Sequence, residues 1–223
     1  YATDIGAPLI SLEKEFSHRE LNDHRFQWQG RHWLLTDLIQ PPLVLSNVSV
    51  ALALLEALHP RLPLTLGAIS RGLEHLDLPG RYHHLTCLGK RFIVDVAHNP
   101  AAISRLVTQL KHDRPNQRFR LIFGMMQDKD WRTCLDMLAT LALIHCYLPP
   151  LDDPRALASD HLSELLQTKN IAYQQCDSYA EAFSQASKEA QDQDIILVTG
   201  SFRLVGAALD YLTRCARETR TCA

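Results

Sequence analysis

The stretch "FIVDVAHNPAAISRLV", Phe92 to Val107, decides how the chain is to be read. An apolar run of the kind that forms a buried strand carries Asp95 near its end and gives way to His98 and Asn99. Pro100 suits the first position of a helix, where a missing N–H costs no hydrogen bond. In a parallel sheet, ligands bind outside the carboxyl ends of the strands. The free N–H groups at the start of the next helix favour an anion there. The segment is thus built like a ligand-binding edge. Asn99 before Pro100 also fits a helix cap and nothing more.

Working outward, strands and helices alternate from Arg81 onward. The pattern predicts strands near 83–88 and 91–96, a helix over 100–111, a strand in "RFRLIFG" and a helix over 130–140. It continues with a strand in "LALIHCY", a helix over 159–168, a short strand in "IAYQQC" and a helix over 179–190. A strand in "DIILVTG" and a helix over 203–217 close it. Nearly continuous apolar strands separated by helices predict an α/β fold, a Rossmann-like, mostly parallel sheet with helices on both faces.

The first part differs. "GAPLISL", "RFQWQG" and "HWLLTDL" read as short strands, with Gly30 at a hairpin turn. Pro41 and Pro42 end this region, and Val48, Ala51, Leu52, Leu55 and Leu58 then recur at helical spacing behind a candidate cap, Ser46. "LTLGAISRGLEHL" is a second helix with Thr65 as its cap, and "DLPGRY" breaks the pattern. Two domains follow, residues 1–78 and 79–223.

Two other strand ends invite the same question as Asp95. In "ILVTGSFRLVG", Ser201 fits a helix cap, or a hydroxyl that holds a carboxylate. In "IFGMMQDKDW", Asp128, Lys129 and Asp130 sit after a strand and before a helix, where Asp130 fits a cap.

Composition narrows the function classes. A net charge of −2 with dispersed basic residues argues against nucleic acid or a membrane surface as partner. No apolar run approaches the roughly 20 residues that cross a bilayer. Six scattered cysteines without a C-x-x-C pair fit thiols in a reducing cytosol, hence a cytoplasmic protein. The 223 residues contain no G-x-G-x-x-G, no H-E-x-x-H and no G-x-S-x-G. A phosphate-binding loop is also missing, since Gly89-Lys90 has no glycine five residues before it. A self-contained nucleotidase, protease or hydrolase is not expected.

With these residues in hand, the chain resembles the bifunctional dihydrofolate synthase/folylpolyglutamate synthase family of the Mur ligase superfamily. The resemblance rests on "LSNVSVALALLEAL", "LPGRY", "VDVAHNPAA", "IFGMMQDKD" and "ILVTGSFRLVG", which occur in family order. It implies that residues 79–223 are the C-terminal ligase domain and that residues 1–78 are the tail of an α/β ATPase domain. It implies ATP-dependent amide formation, in which ATP phosphorylates a carboxylate of dihydropteroate or a folate and L-glutamate attacks the acyl phosphate. Asn47, Arg81 and Asp95 then resemble the family's ATP-binding residues, His98 the catalytic histidine near the incoming glutamate, and Ser201 a glutamate-gripping serine. Mg2+ is implied as well, its ligands expected on an N-terminal part outside these residues together with the phosphate loop. The 223-residue chain is therefore expected to be inactive by itself, and the complete enzyme a monomer. A different Mur-type amino-acid ligase and a non-catalytic nucleotide- or amino-acid-binding module are the alternatives. Tyr82 departs mildly from the family's "PGRF". Arg155 keeps its place in "LPPLDDPRAL", where Asp152 and Asp153 add charge.

Overall fold

A computed structural model describes residues 2, 4–21, 24–41, 43–76 and 78–221, with side chains to 217. Tyr1, Pro42, Asp77 and Cys222, noted in the sequence, lie outside the described residues. The chain forms two compact units, Tyr1–Asp77 and Leu78–Ala223.

The first unit is a three-stranded antiparallel sheet, β1 (Ser17–Glu20), β2 (Arg25–Gln29) and β3 (Leu34–Ile39), in the order β1-β2-β3. Helices α1 (Leu45–Leu58) and α2 (Leu66–Glu74) follow. Phe26, Trp28, Leu35, Leu38, Leu45, Val48 and Leu52 are among its buried core. The Trp28 indole N–H donates to the Ser49 carbonyl at 3.2 Å, which satisfies its one polar atom inside that core. Glu56 of α1 accepts from the backbone N–H groups of Arg31, His32 and Trp33, so one carboxylate fixes the hairpin that Gly30 begins.

Two sequence expectations fail here. "GAPLISL" is not a strand; only Leu12 forms an isolated bridge, with Phe16. Pro8 has no N–H to give a ladder, and the Ala7 N–H turns back to the Ala2 carbonyl. The first strand is instead the polar "SHRE", an edge strand whose composition gives no apolar signal. Ser46 is not the cap of α1 either. Leu45 is buried and belongs to the helix, so Val44 is the N-cap, without a side-chain bond. Thr65 does cap α2, accepting from the Ala68 N–H at 3.2 Å.

The second unit is a six-stranded sheet in an α/β fold. Its elements are β4 (His83–Cys87), β5 (Lys90–Asp95), α3 (Pro100–Asp113), β6 (Arg118–Phe123), α4 (Trp131–Leu138) and β7 (Ala142–Leu148). Then come α5 (Ser159–Thr168), β8 (Tyr173–Gln175), α6 (Tyr179–Glu189), β9 (Ile195–Thr199) and α7 (Phe202–Thr221). The strand order is β4-β5-β9-β6-β7-β8; β4 is antiparallel to β5 and the other pairs are parallel.

The inner strands are largely apolar on both sides because both sides are covered. Ile93, Phe119, Leu121 and Leu197 pack with α3, α4 and α5 through Ile103, Leu110, Leu135 and Leu166. Phe92, Val94, Ile122 and Val198 pack with α6 and α7 through Phe183, Ala186, Val205 and Leu212. The last strand, β9, inserts between β5 and β6. The helix after β5 therefore leaves over one face and the helix after β9 over the other. Their neighbouring carboxyl ends open between the two, the arrangement that makes a crevice in open α/β sheets. The thiols of Cys134, Cys146 and Cys176 are buried, and burial pushes them up to about 11, about 12 and about 11. They behave as packing groups, not nucleophiles.

Gly200 joins β9 to α7 with φ +114°, a backbone setting closed to ordinary side chains. A Cβ there would stand 2.6 Å from the Gly124 carbonyl oxygen and 2.8 Å from the Phe123 ring. Gly200→Ala is expected to cost more than about 1 kcal/mol, read as a lower denaturant midpoint; an unchanged midpoint would contradict this packing.

His84 and His145 have pKa values below the ordinary 6.5, chiefly because burial penalises the charged ring. The unfolded chain then takes up protons first as pH falls. Stability is full above 6.5 and declines as pH drops through that value towards the depressed folded-state pKa values. Denaturation at about pH 7.5 and about pH 5.5 should reveal the loss, and His145→Gln should reduce it.

Candidate active site

The site is built from the carboxyl ends of β5 and β9. Asp95 ends β5, and its two oxygens accept from the Ala97 N–H at 2.7 Å and the Tyr82 N–H at 2.8 Å. One carboxylate thus closes its own turn and ties residues 79–82 to it. Tyr82 has φ +43°, a left-handed setting that is strained for a bulky residue, and the Asp95 bond holds it there. Burial raises the Asp95 pKa above the usual carboxylate value, against the pull of the two N–H groups and of Arg81 and Arg105. The Gly80 carbonyl accepts from Val96 N–H at 2.9 Å, and the Tyr82 hydroxyl donates to Asp113 at 2.9 Å, at the end of α3. The hydroxyl that sets Tyr82 apart from phenylalanine therefore has a partner. Arg81 sits on a turn fixed from three sides.

His98 is half-buried, with Nδ1 2.8 Å from the Val96 carbonyl oxygen. A carbonyl only accepts, so Nδ1 donates to it, and Nε2 is the nitrogen left to face a ligand. Asn99 accepts from the Ala102 N–H at 2.9 Å and caps α3, with Pro100 at its first position.

The end of β9 is stitched to this loop. Both the Gly200 N–H and the Thr199 hydroxyl donate to the Ala97 carbonyl, at 3.0 and 3.2 Å. Ser201 is only 3% exposed, and its hydroxyl accepts from the Leu204 N–H at 3.1 Å. In this structure it caps the start of α7. Phe202, the next residue, is 58% exposed. Its ring lies 5.7 Å from the Arg81 guanidinium carbon and 5.3 Å from the His98 ring, centroid to centroid. Arg81, Asp95, His98 and Ser201 are thus brought to one edge of the sheet.

The end of β6 is the third candidate edge. Asp130 caps α4, accepting from the Thr133 N–H, and Lys129 pairs with Asp128 at 3.0 Å. Arg155 grips Asp153 through two nitrogens at 3.1 and 3.3 Å, and Arg203 lies 3.7 Å from the same carboxylate. Arg155 holds the Asp153 carboxyl below its usual range. Of the two added acids, Asp153 is thus engaged by two arginines, while Asp152 is exposed. Asn47 belongs to the other unit, where it is exposed in the first turn of α1. It does not cap that helix. No three or more His, Cys, Asp or Glu side chains gather into a metal-ligand set among the described residues.

Residues 80–202, more than half of the chain, match the family model described as Mur ligase, glutamate ligase domain. The chain belongs to the Mur ligase family. It is 32% identical over 211 residues to the dihydrofolate synthase/folylpolyglutamate synthase of Escherichia coli (strain K12), covering 95% of this chain and 48% of that protein. The solved structure of E. coli FolC in complex with DHPP and ADP superposes with a TM-score of 0.80 at 31% identity, covering 97% of this chain and 50% of that one. A bifunctional folylpolyglutamate synthase/dihydrofolate synthase with Mn, AMPPNP and L-glutamate bound gives 0.80 at 32% identity, covering 95% and 49%. This Mur ligase chain spans about half the length of the curated relatives it matches.

Sequence reading of this Mur ligase missed two features of the edge. Phe202 was visible only as the letter after Gly-Ser, and an aromatic at a helix start has no local signal for exposure. The Asp153 clamp joins residues 153, 155 and 203, and a pairing across 50 residues has no spacing to betray it. Asp95→Ala is expected to leave the Tyr82 and Ala97 N–H groups without their acceptor and to cost about 1–3 kcal/mol, measured by chemical denaturation. A loss well under that range would mean that the buried carboxylate is not what holds the turn.

Proposed function

We propose that this chain is the C-terminal half of an ATP-dependent amide ligase that joins L-glutamate to dihydropteroate or a folate. The observation that carries the reading is the meeting of Arg81, His98 and Ser201–Phe202 at one sheet edge, in a unit that matches the Mur ligase glutamate ligase domain. Relatives of this name align along nearly the whole chain, and one solved relative holds a nucleotide analogue together with L-glutamate. In this reading residues 79–223 are the ligase domain and residues 1–78 the tail of the central ATPase domain. Leu34 and Ile39 of β3 and Val50, Leu54 and Leu58 of α1 are exposed apolar residues, which fits an ATPase domain that continues beyond them.

The chemistry follows from the groups available. A carboxylate is a poor electrophile, and transfer of the terminal phosphoryl group of ATP to it creates an acyl phosphate with ADP leaving. The glutamate amine then attacks the acyl carbon, and the amide forms as phosphate leaves. Arg81 on its fixed turn supplies positive charge for the nucleotide, with Asp95 holding that turn. Asn47 is likewise assigned to ATP binding by its resemblance to the family asparagine. In this reading Nε2 of His98, the ring nitrogen not bonded to Val96, accepts a hydrogen bond, then a proton, from the attacking amine. The N-termini of α3 and α7 offer N–H groups to the glutamate carboxylates, with Ser201 at the second of them. Mg2+ finds no ligand set among the described residues, and its ligands are assigned to chain outside them. The protein works without nucleic acid or membrane partners, as a cytoplasmic monomer.

The test is ligation by the protein that contains this chain together with the phosphate-loop half. ATP-dependent incorporation of labelled L-glutamate into dihydropteroate or a folate is the expected result. Incorporation of another amino acid instead would point to a different Mur-type ligase, and binding without turnover to a non-catalytic module. The isolated 223-residue chain is expected to form no amide, and His98→Ala in the intact enzyme to lower kcat by roughly 100-fold or more.

A further inference from the structure

Phe202 is the odd residue of its helix. Its apolar neighbours on α7, Leu204, Val205, Ala208 and Leu212, are buried in the core, whereas Phe202 itself is 58% exposed. A phenylalanine left in water forgoes the hydrophobic gain that keeps such a ring inside. Isolated exposed apolar side chains are common, so exposure alone decides nothing. The two specific neighbours of this ring decide more. Arg81 comes from the turn before β4 and His98 from the loop after β5, and both meet the same ring. The Arg81 distance of 5.7 Å is within the range of a cation–π contact. Arg81 makes no ion pair among the described residues, so this ring is what orients a charge still available to an anion.

The backbone beneath Phe202 is unusually well fixed. The Gly200 N–H is bonded to the Ala97 carbonyl, and Ser201 is buried and caps the helix through the Leu204 N–H. His98 is tethered at Nδ1 only, to Val96, and a single hydrogen bond leaves an imidazole free to swing about that point. The Phe202 ring, tilted 51° to the imidazole, is the second contact that fixes the plane and hence the direction of Nε2.

We propose that Phe202 is a positioning residue, a shared wall that sets the Arg81 guanidinium and the His98 imidazole relative to each other. The consequence for catalysis rests on the ligase reading; the placement rests on the geometry alone.

Two measurements test these parts separately. In the 223-residue chain, NMR of the His98 ring protons in wild type, Phe202→Leu, Phe202→Met and Phe202→Tyr reads the placement. The aromatic ring current should displace those protons in wild type and Phe202→Tyr. The displacement should vanish in both aliphatic variants, with the thermal midpoint unchanged. In the intact enzyme, Phe202→Leu should lower kcat roughly tenfold, with KM for ATP rising as Arg81 loses its support, and Phe202→Tyr should restore both. His98 shifts that do not respond to Phe202→Leu or Phe202→Met overturn the placement. Shifts that respond while kcat and KM stay at wild-type values overturn the positioning role. A parent enzyme that makes no amide would sink the ligase reading, and the His98 shifts would still decide the placement.

Discussion

The parallel pairing of β5 with β9 is the constraint on which the rest of the second unit depends. Asp95 lies opposite Thr199 in that register, and the Ala97 carbonyl just beyond receives two donors from the end of β9. A carbonyl has two lone pairs, and here both are engaged. The bonds bring the loop of residues 95–99 and the loop of residues 199–202 side by side. A shift of one residue would turn the core residues of β9 to the wrong face. Burial on both sides of the sheet therefore fixes the register, and the register fixes the site.

On that frame, polar groups are spent mostly on holding one another. Asp95 is committed to two N–H groups, Asn99 and Asp130 to helix caps, and Ser201 to the cap of α7. What remains free to meet a ligand is narrower: the Nε2 side of His98, the Arg81 guanidinium and the amide ends of α3 and α7. With both oxygens engaged by backbone donors, the buried acid braces the turn that carries Arg81. Those two donors and the nearby charge of Arg81 offset part of the burial cost of that carboxylate. The Asp153 carboxylate, itself little exposed, is committed to the side chains of Arg155 and Arg203, which are exposed.

Much of the fold was legible in the sequence because the signals were local. In the second unit every strand and helix expected from periodicity has its counterpart, most bounds agreeing within two residues. Continuous apolar strands there report that both faces are covered. In the first unit the sheet is covered on one face only, and "SHRE" at its edge carries no apolar pattern at all. "GAPLISL" was apolar enough to mislead, and Pro8 breaks it for a reason that hydrophobicity does not record. Ser46 had the right chemistry for a cap, but burial of Leu45 moved the helix start past it.

The sequence by itself determined that this is an α/β chain, that Asp95, His98 and Ser201 stand at strand ends, and which ligase family they resemble. Those features depend on residue type, period and order, all written along the chain. Only the tertiary structure decided that β9 lies between β5 and β6, that Ser201 is a buried cap, and that Phe202 faces both Arg81 and His98. These depend on contacts between segments about 100 residues apart. Their geometry is set by how two faces of one sheet are filled, and no local pattern carries that information.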